Sequence, residues 1–124
     1  MENKSISELP DHDRYNYLIH HIAKFKEIWL LKAHDGMYAM FEDEKGNSYI
    51  PVWPHQELAD EYAIEDWEGY VSERMELGEI MEWMDELQED QILIGAFPNA
   101  QMQALSVSAA DFKKQILDAR KSLG

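Results

Sequence analysis

The tripeptide Trp53-Pro54-His55 is the most distinctive local group of side chains that could bind a ligand or move a proton. A tryptophan offers a broad apolar surface with one N–H donor, and a histidine titrates near pH 6.5. One interpretation places Trp53 and His55 at the rim of a pocket where a strand meets a helix. The other interpretation, which we favour, packs Trp53 in the core, begins a helix at Pro54 and lets His55 donate to nearby backbone.

The sequence lacks the usual patterns of metal ligands and nucleophiles. It has no cysteine, which excludes a disulfide scaffold, a zinc ribbon and a thiol nucleophile. His20 and His21 are adjacent, so on a helix they point about 100° apart and cannot hold one metal ion from the same face. No Gly-x-Ser-x-Gly sequence and no glycine-rich phosphate loop is present. We expect no metal, no cofactor and no catalytic residue. The carboxylates are so numerous, however, that the sequence does not exclude a pair of them that acts as a general acid and a general base.

Acidic residues are concentrated in one stretch of the chain. The sequence has 25 Asp and Glu against 11 Lys and Arg, which gives a formal net charge of −14. Residues 56–90 hold fourteen of these acids and one base, Arg74, so this stretch carries −13. Because its field repels polyanions, we expect no binding to nucleic acid or to an anionic membrane. Attraction to a basic protein surface is allowed, and a solvated face that serves solubility is the simpler interpretation.

The helix predicted over residues 78–90 contains an unfavourable arrangement of charges. Glu82, Glu86 and Asp90 repeat at a spacing of four, which places like charges next to one another on the helix surface. Each such pair costs about 0.2–0.5 kcal/mol, and acids at the carboxyl end also oppose the helix dipole. We expect Glu82 and Glu86 to face either a basic partner or, as the stronger alternative, the basic final helix of the same fold.

The elements that must position these residues show helical and extended patterns in turn. Apolar residues at spacings of three and four predict helices over residues 11–26, 54–65, 78–90 and 108–122. Short apolar runs predict strands over residues 28–31, 37–41, 48–53, 69–76, 91–97 and 103–107. The order is α-β-β-β-α-(β)-α-β-β-α. The fold class is therefore α+β, with a mostly antiparallel or mixed sheet of about five to six strands and helices packed on it.

Single residues set the expected ends of several elements. Asp11 suits the cap of the first helix, and Ser108 with Asp111 three residues later matches a capping box at the start of the last helix. Pro54 suits the first position of its helix. Pro51 cannot donate a hydrogen bond within a sheet, so it belongs at a sheet edge or a strand end.

The length of 124 residues suits a single domain, in which residues 1–10 form a partly ordered lead-in. No run approaches the roughly 18 apolar residues of a membrane span, and the first residues lack the basic and then apolar layout of a signal peptide. We therefore expect an acidic cytoplasmic protein that is a monomer or a homodimer.

The segment Val52-Trp53-Pro54-His55 is fairly specific, and residues 28–31, Trp67 and residues 95–98 accompany it. Together these segments resemble the domain-of-unknown-function family 2750 over roughly residues 14–118. The resemblance implies a small stand-alone cytoplasmic bacterial protein and brings no activity, ligand or catalytic residue. The order of elements after Pro54 is also similar, more weakly, to the amino-terminal domain of the SseB family, as an analogy about fold alone.

Two functions remain open from the sequence. The first is a non-enzymatic interaction module, which would be an adaptor, regulator or inhibitor that captures a basic protein surface through the acidic stretch. The second is a protein that binds or hydrolyses a small ligand at a site near Trp53, His55 and Trp67. The concentrated charge and the lack of a catalytic motif favour the first. The candidate binding residues are Trp53, His55, Trp67, Glu82 and Glu86.

Overall fold

The computed structural model describes residues 8–42, 45–63, 69–99 and 104–123, and residues 1–7 of the predicted lead-in lie outside these ranges. In the described ranges the elements follow the predicted α+β order. Helices α1 to α4 span Asp11–Phe25, Gln56–Asp60, Leu77–Glu89 and Ala109–Leu123. Strands β1 to β6 span Glu27–Lys32, Phe41–Glu42, Ser48–Val52, Val71–Glu76, Leu93–Ala96 and Leu105–Ser108.

The strands form two sheets that are connected through backbone bridges of β1. β1 and β4 pair antiparallel, and the other four strands lie in the order β2-β3-β5-β6. In this second sheet β3 and β5 are parallel, whereas the other two pairs are antiparallel. Trp29 in β1 and Trp53, directly after β3, exchange two backbone hydrogen bonds of 2.9 Å, which join the sheets. The predicted mixed arrangement is confirmed.

Pro51 lies inside β3, one residue before the end of the strand, opposite Gly95 of β5. Tyr49 pairs with β2 and Trp53 pairs with β1, both on the side of β3 away from β5. Because backbone groups alternate between the two sides of a strand, the nitrogen of Pro51 faces that same side, between these two pairings. The proline therefore removes no hydrogen bond from the β3–β5 pair.

The core lies between the sheets and helices α1, α3 and α4. The fully buried aliphatic and aromatic side chains include Leu18, Ile22, Ile28, Leu30, Val52, Ile80, Met84, Ile94, Phe112 and Ile116. The apolar spacings predicted these helical faces correctly except at the helix ends. Phe25 and Leu123 are 54% and 57% exposed, because each is the last residue of its helix and extends past the packed layer. Among the described helices, none combines the length and apolarity needed to cross a membrane.

The first helix begins at Asp11 as predicted, but its predicted cap is wrong, the predicted start of the second helix is wrong, and the predicted cap of the last helix is confirmed. Pro10, not Asp11, is the cap of α1, and the Asp11 carboxylate instead accepts a hydrogen bond from Arg14. α2 begins at Gln56 rather than Pro54, because the bridge at Trp53 keeps the chain extended as far as His55. At α4 the Ser108 hydroxyl accepts the backbone N–H of Asp111 at 3.1 Å, as the capping box predicts.

Candidate functional site

His55 belongs to a cluster of titratable side chains from α1, β1 and the connection between β3 and α2. Its Nε2 lies 2.6 Å from the Tyr17 hydroxyl, and its ring centroid lies 4.8 Å from that of His21. The Nε2 of His21 lies 3.3 Å from Oε2 of Glu27. We call Tyr17, His21, Glu27 and His55 the histidine cluster. Tyr17 and His21 lie four residues apart, which puts both side chains on one face of α1. This spacing was the sequence signal for the cluster, and the sequence-based prediction missed it.

Burial controls the charge states in the histidine cluster. It lowers the pKa of His21, which is 8% exposed, and the pKa of His55. Burial alone would raise the pKa of Glu27, but hydrogen bonds from Arg74, His21 and Trp29 together lower it. At neutral pH the cluster therefore holds neutral imidazoles beside an ionised carboxylate. A neutral imidazole can accept a proton, so the arrangement allows acid–base chemistry.

The histidine cluster does not extend to a metal-binding group. Over the described ranges there is no set of three or more His, Asp or Glu side chains that could hold a metal ion. One ring nitrogen of His21 and one of His55 are already engaged by Glu27 and Tyr17.

Of the two predicted tryptophans, only Trp53 lies in the described residues, and it does not share the surface with His55. Trp53 is fully buried, and its ring centroid lies 5.1 Å from that of Tyr62. The buried Nε1 of Trp53 has no hydrogen-bond partner within the part of the chain that the structure describes. Trp67 lies outside the described residues. A pocket shared by Trp53, His55 and Trp67 therefore stays a prediction.

Glu82 and Glu86 are exposed on α3, beside an open groove between α3 and α4. The groove has a volume of about 600 Å³. Glu86 lines it, and Glu82 lies one turn earlier on the same side of the helix. The lining residues, which define the α3–α4 groove, are Asp85, Glu86, Gln88, Glu89, Ala110, Lys113, Lys114 and Leu117.

The expected contact between the acidic helix and the basic final helix is present at one position. Lys113 Nζ lies 2.9 Å from Oδ1 of Asp85. Neither Glu82 nor Glu86 forms an ion pair with another described residue, because α3 directs Asp85 toward α4 and leaves these two carboxylates in solvent. Leu117, 41% exposed, adds an apolar side chain to the lining of the groove.

Comparison with known proteins places these residues within one family region. A family model described as "Protein of unknown function (DUF2750)" matches residues 15–116, which include the histidine cluster and all of α3. No curated protein matches the chain. The similarity to the SseB amino-terminal domain stays a prediction.

Proposed function

The chain belongs to the family described as "Protein of unknown function (DUF2750)", and we propose that it is a non-enzymatic protein-interaction module. It acts as an adaptor, regulator or inhibitor by capturing a basic segment of a partner protein in the α3–α4 groove. The observation that carries this proposal is that acidic residues of α3, which we call the acidic wall, and the exposed apolar Leu117 line one groove.

The acidic wall offers carboxylates that the fold itself leaves unpaired. Asp85, Glu86 and Glu89 line the groove. Within the described part of the chain, Asp85 is the only one of these three that forms an ion pair, and its partner is Lys113. The repulsion between acids four residues apart, at Glu82, Glu86 and Asp90, remains in the free protein. A partner lysine or arginine would relieve this repulsion, so its binding here is more favourable than its binding to a neutral surface would be.

The opposite wall fixes how a basic segment can lie in the groove. Lys114 on α4 repels cations, so the partner's basic side chains must lie toward Glu86 and Glu89 on α3. Leu117 and Ala110 can then contact one apolar side chain of the segment. The ligand class is therefore a segment with basic residues along one edge and an apolar residue beside them.

The surrounding charge would speed the encounter with such a partner. The stretch of residues 56–90 carries −13, and its field attracts a cationic segment over about a Debye length, roughly 10 Å at 0.1 M salt. We therefore expect association that is fast at low salt and slows as salt is added.

The experiment is an NMR titration of the labelled protein with a synthetic peptide that carries lysines along one edge and a central leucine. We expect saturable amide shift changes at Glu86, Glu89 and Leu117 that weaken as NaCl rises from about 0.05 M to about 0.5 M. A matched peptide with glutamate in place of lysine should cause none. Shift changes spread over α2 and β4, or changes insensitive to salt, would contradict the proposal.

A second candidate function is binding or hydrolysis of a small ligand at the histidine cluster, which contains the predicted site residue His55. The convergence of His21, His55 and Tyr17 favours it. A surface pocket of about 170 Å³ opens beside this cluster and is lined in part by Tyr17 and His21. A ligand that shifts the imidazole resonances of His21 and His55, and leaves the α3–α4 groove unchanged, would support this candidate over the first.

A further inference from the structure

A basic cleft lies where α1 and β4 end and α3 begins. Its volume is about 420 Å³, and three cationic side chains, Lys26, Arg74 and Arg120, line it together with one acid, Glu76. These lining charges sum to +2, and Glu27, which pairs with Arg74 from beside the lining, lowers the local sum to +1, in a chain whose net charge is −14. We propose that this cleft, separate from the α3–α4 groove, binds the phosphate group of a small phosphate monoester.

Both guanidinium groups are held in place by the fold. Arg120 Nη1 donates to the backbone oxygen of Ala23 at 2.8 Å, near the end of α1. Arg74 donates from Nε to Glu27 at 2.8 Å and from Nη1 to Glu76 at 3.0 Å. A guanidinium has five N–H donors, so within the described residues each arginine keeps donors that no protein group uses. Fixed planar donors of this kind suit phosphate oxygens.

Lys26 has a backbone conformation that normally favours glycine. Its φ is 61°, in the left-handed region, at the cap that ends α1. The capping hydrogen bond runs from its backbone N–H to Ile22, and glycine would make this bond with less strain. The side chain is therefore not needed for the cap. Its position in the cleft gives the lysine a role that glycine could not fill.

The size and surroundings of the cleft indicate the class of ligand. A volume of about 420 Å³ leaves room for an organic group beside a phosphate. Phe25, which lines the cleft and is 54% exposed, offers that group an aromatic surface. The strongly negative field of the rest of the protein repels long polyanions, so a small dianion fits better than nucleic acid.

The experiment compares phenyl phosphate, inorganic phosphate and sodium chloride at matched ionic strength, with the amide shift of Gly78 and the thermal midpoint as readouts. Gly78 also lines the cleft. We expect phenyl phosphate to bind saturably, and more tightly than inorganic phosphate because of Phe25. Equal binding of the two would overturn the monoester assignment, and responses no larger than those to chloride would overturn the site.

Lys26→Gly is the informative variant, because glycine suits the backbone at this position. It should weaken phenyl phosphate binding about fivefold to tenfold and leave the thermal midpoint of the free protein equal or higher. Lys26→Asn, which also tolerates the left-handed region, should act in the same way. Lys121→Gln, an exposed lysine next to Arg120, is the matched control and should bind like the wild type. Unchanged binding by both Lys26 variants would overturn the proposal.

Discussion

Gly95→Ala adds one methyl group to β5 at the residue that lies opposite Pro51 of β3. A Cβ atom at Gly95 would lie 2.4 Å from Cδ2 and 2.7 Å from Cε2 of Tyr49. The backbone at Gly95 is not in the left-handed region, so the contact with the ring is the only obstacle to alanine that we identify.

The distances set the expected magnitude. Carbon atoms in contact lie about 3.5–4.0 Å apart, so the ring of Tyr49 must retreat by about 1 Å or more. That ring packs edge-on against Phe41, with centroids 5.4 Å apart, so its retreat disturbs the pairing of β2 with β3. Overpacking of this kind typically costs about 1–3 kcal/mol, and we expect Gly95→Ala to fall in the upper half of that range.

The assay is urea unfolding followed by tryptophan fluorescence, applied to a double-mutant cycle. Tyr49→Ala removes the ring, so in that background Gly95→Ala should cost at least about 1 kcal/mol less than in the wild type. If the two substitutions have additive effects, the steric explanation for glycine at this position is wrong.

Three further predictions concern stability. Ser108→Ala should lower the free energy of unfolding by about 1 kcal/mol in urea, because the hydroxyl caps α4, and Ser108→Thr should recover most of it. Arg14→Met should lower it by about 2–3 kcal/mol in the same assay, since Arg14 is 2% exposed and donates to the backbone oxygens of Phe97 and Leu9 at 2.9 Å and 2.6 Å. Stability should also fall as the pH decreases below about 6.5, because burial lowers the pKa of His21 and His55, and the unfolded chain then binds more protons than the folded one. The double variant His21→Gln, His55→Gln should flatten this profile in urea unfolding between about pH 5 and pH 7.

Each of these outcomes has a clear opposite. A Ser108→Ala variant as stable as the wild type would mean that water replaces the cap. An Arg14→Met variant of wild-type stability would mean that Phe97 and Leu9 find other donors. A wild-type stability that rises as the pH falls from about 7 to 5 would mean that Glu27 outweighs burial in setting the pKa of His21.

The periodic apolar residues predicted the elements, but tertiary contacts decided where they end. The spacing of Ile80, Met84 and Leu87 is enough to identify α3, since all three are buried. The start of α2 could not be predicted locally, because it depends on the pairing of Trp53 with Trp29 in a distant strand.

The candidate site was predictable only in part, for a similar reason. The local sequence singled out His55, but its partners come from α1 and β1, and Tyr17 is 38 residues away. Arg14 is a charged residue on an amphipathic helix, and its burial depends on backbone oxygens that only the folded chain brings near. Charge composition predicted contact between α3 and α4, but the rotation of α3 determines that Asp85, not Glu82, meets Lys113.

The most direct test of the α3–α4 groove compares two charge-matched variants for binding of the lysine-edged peptide by fluorescence anisotropy. One double variant carries Glu82→Lys and Glu86→Lys, and the other carries Glu57→Lys and Glu61→Lys. Each variant changes two exposed acids that lie four residues apart. Each takes the net charge from −14 to −10, since every Glu→Lys substitution adds two positive charges. We expect the variant at Glu82 and Glu86 to lose about tenfold in affinity at low salt and the variant at Glu57 and Glu61 to lose far less. Equal losses in the two variants would show that net charge alone attracts the peptide, and would contradict binding in the groove.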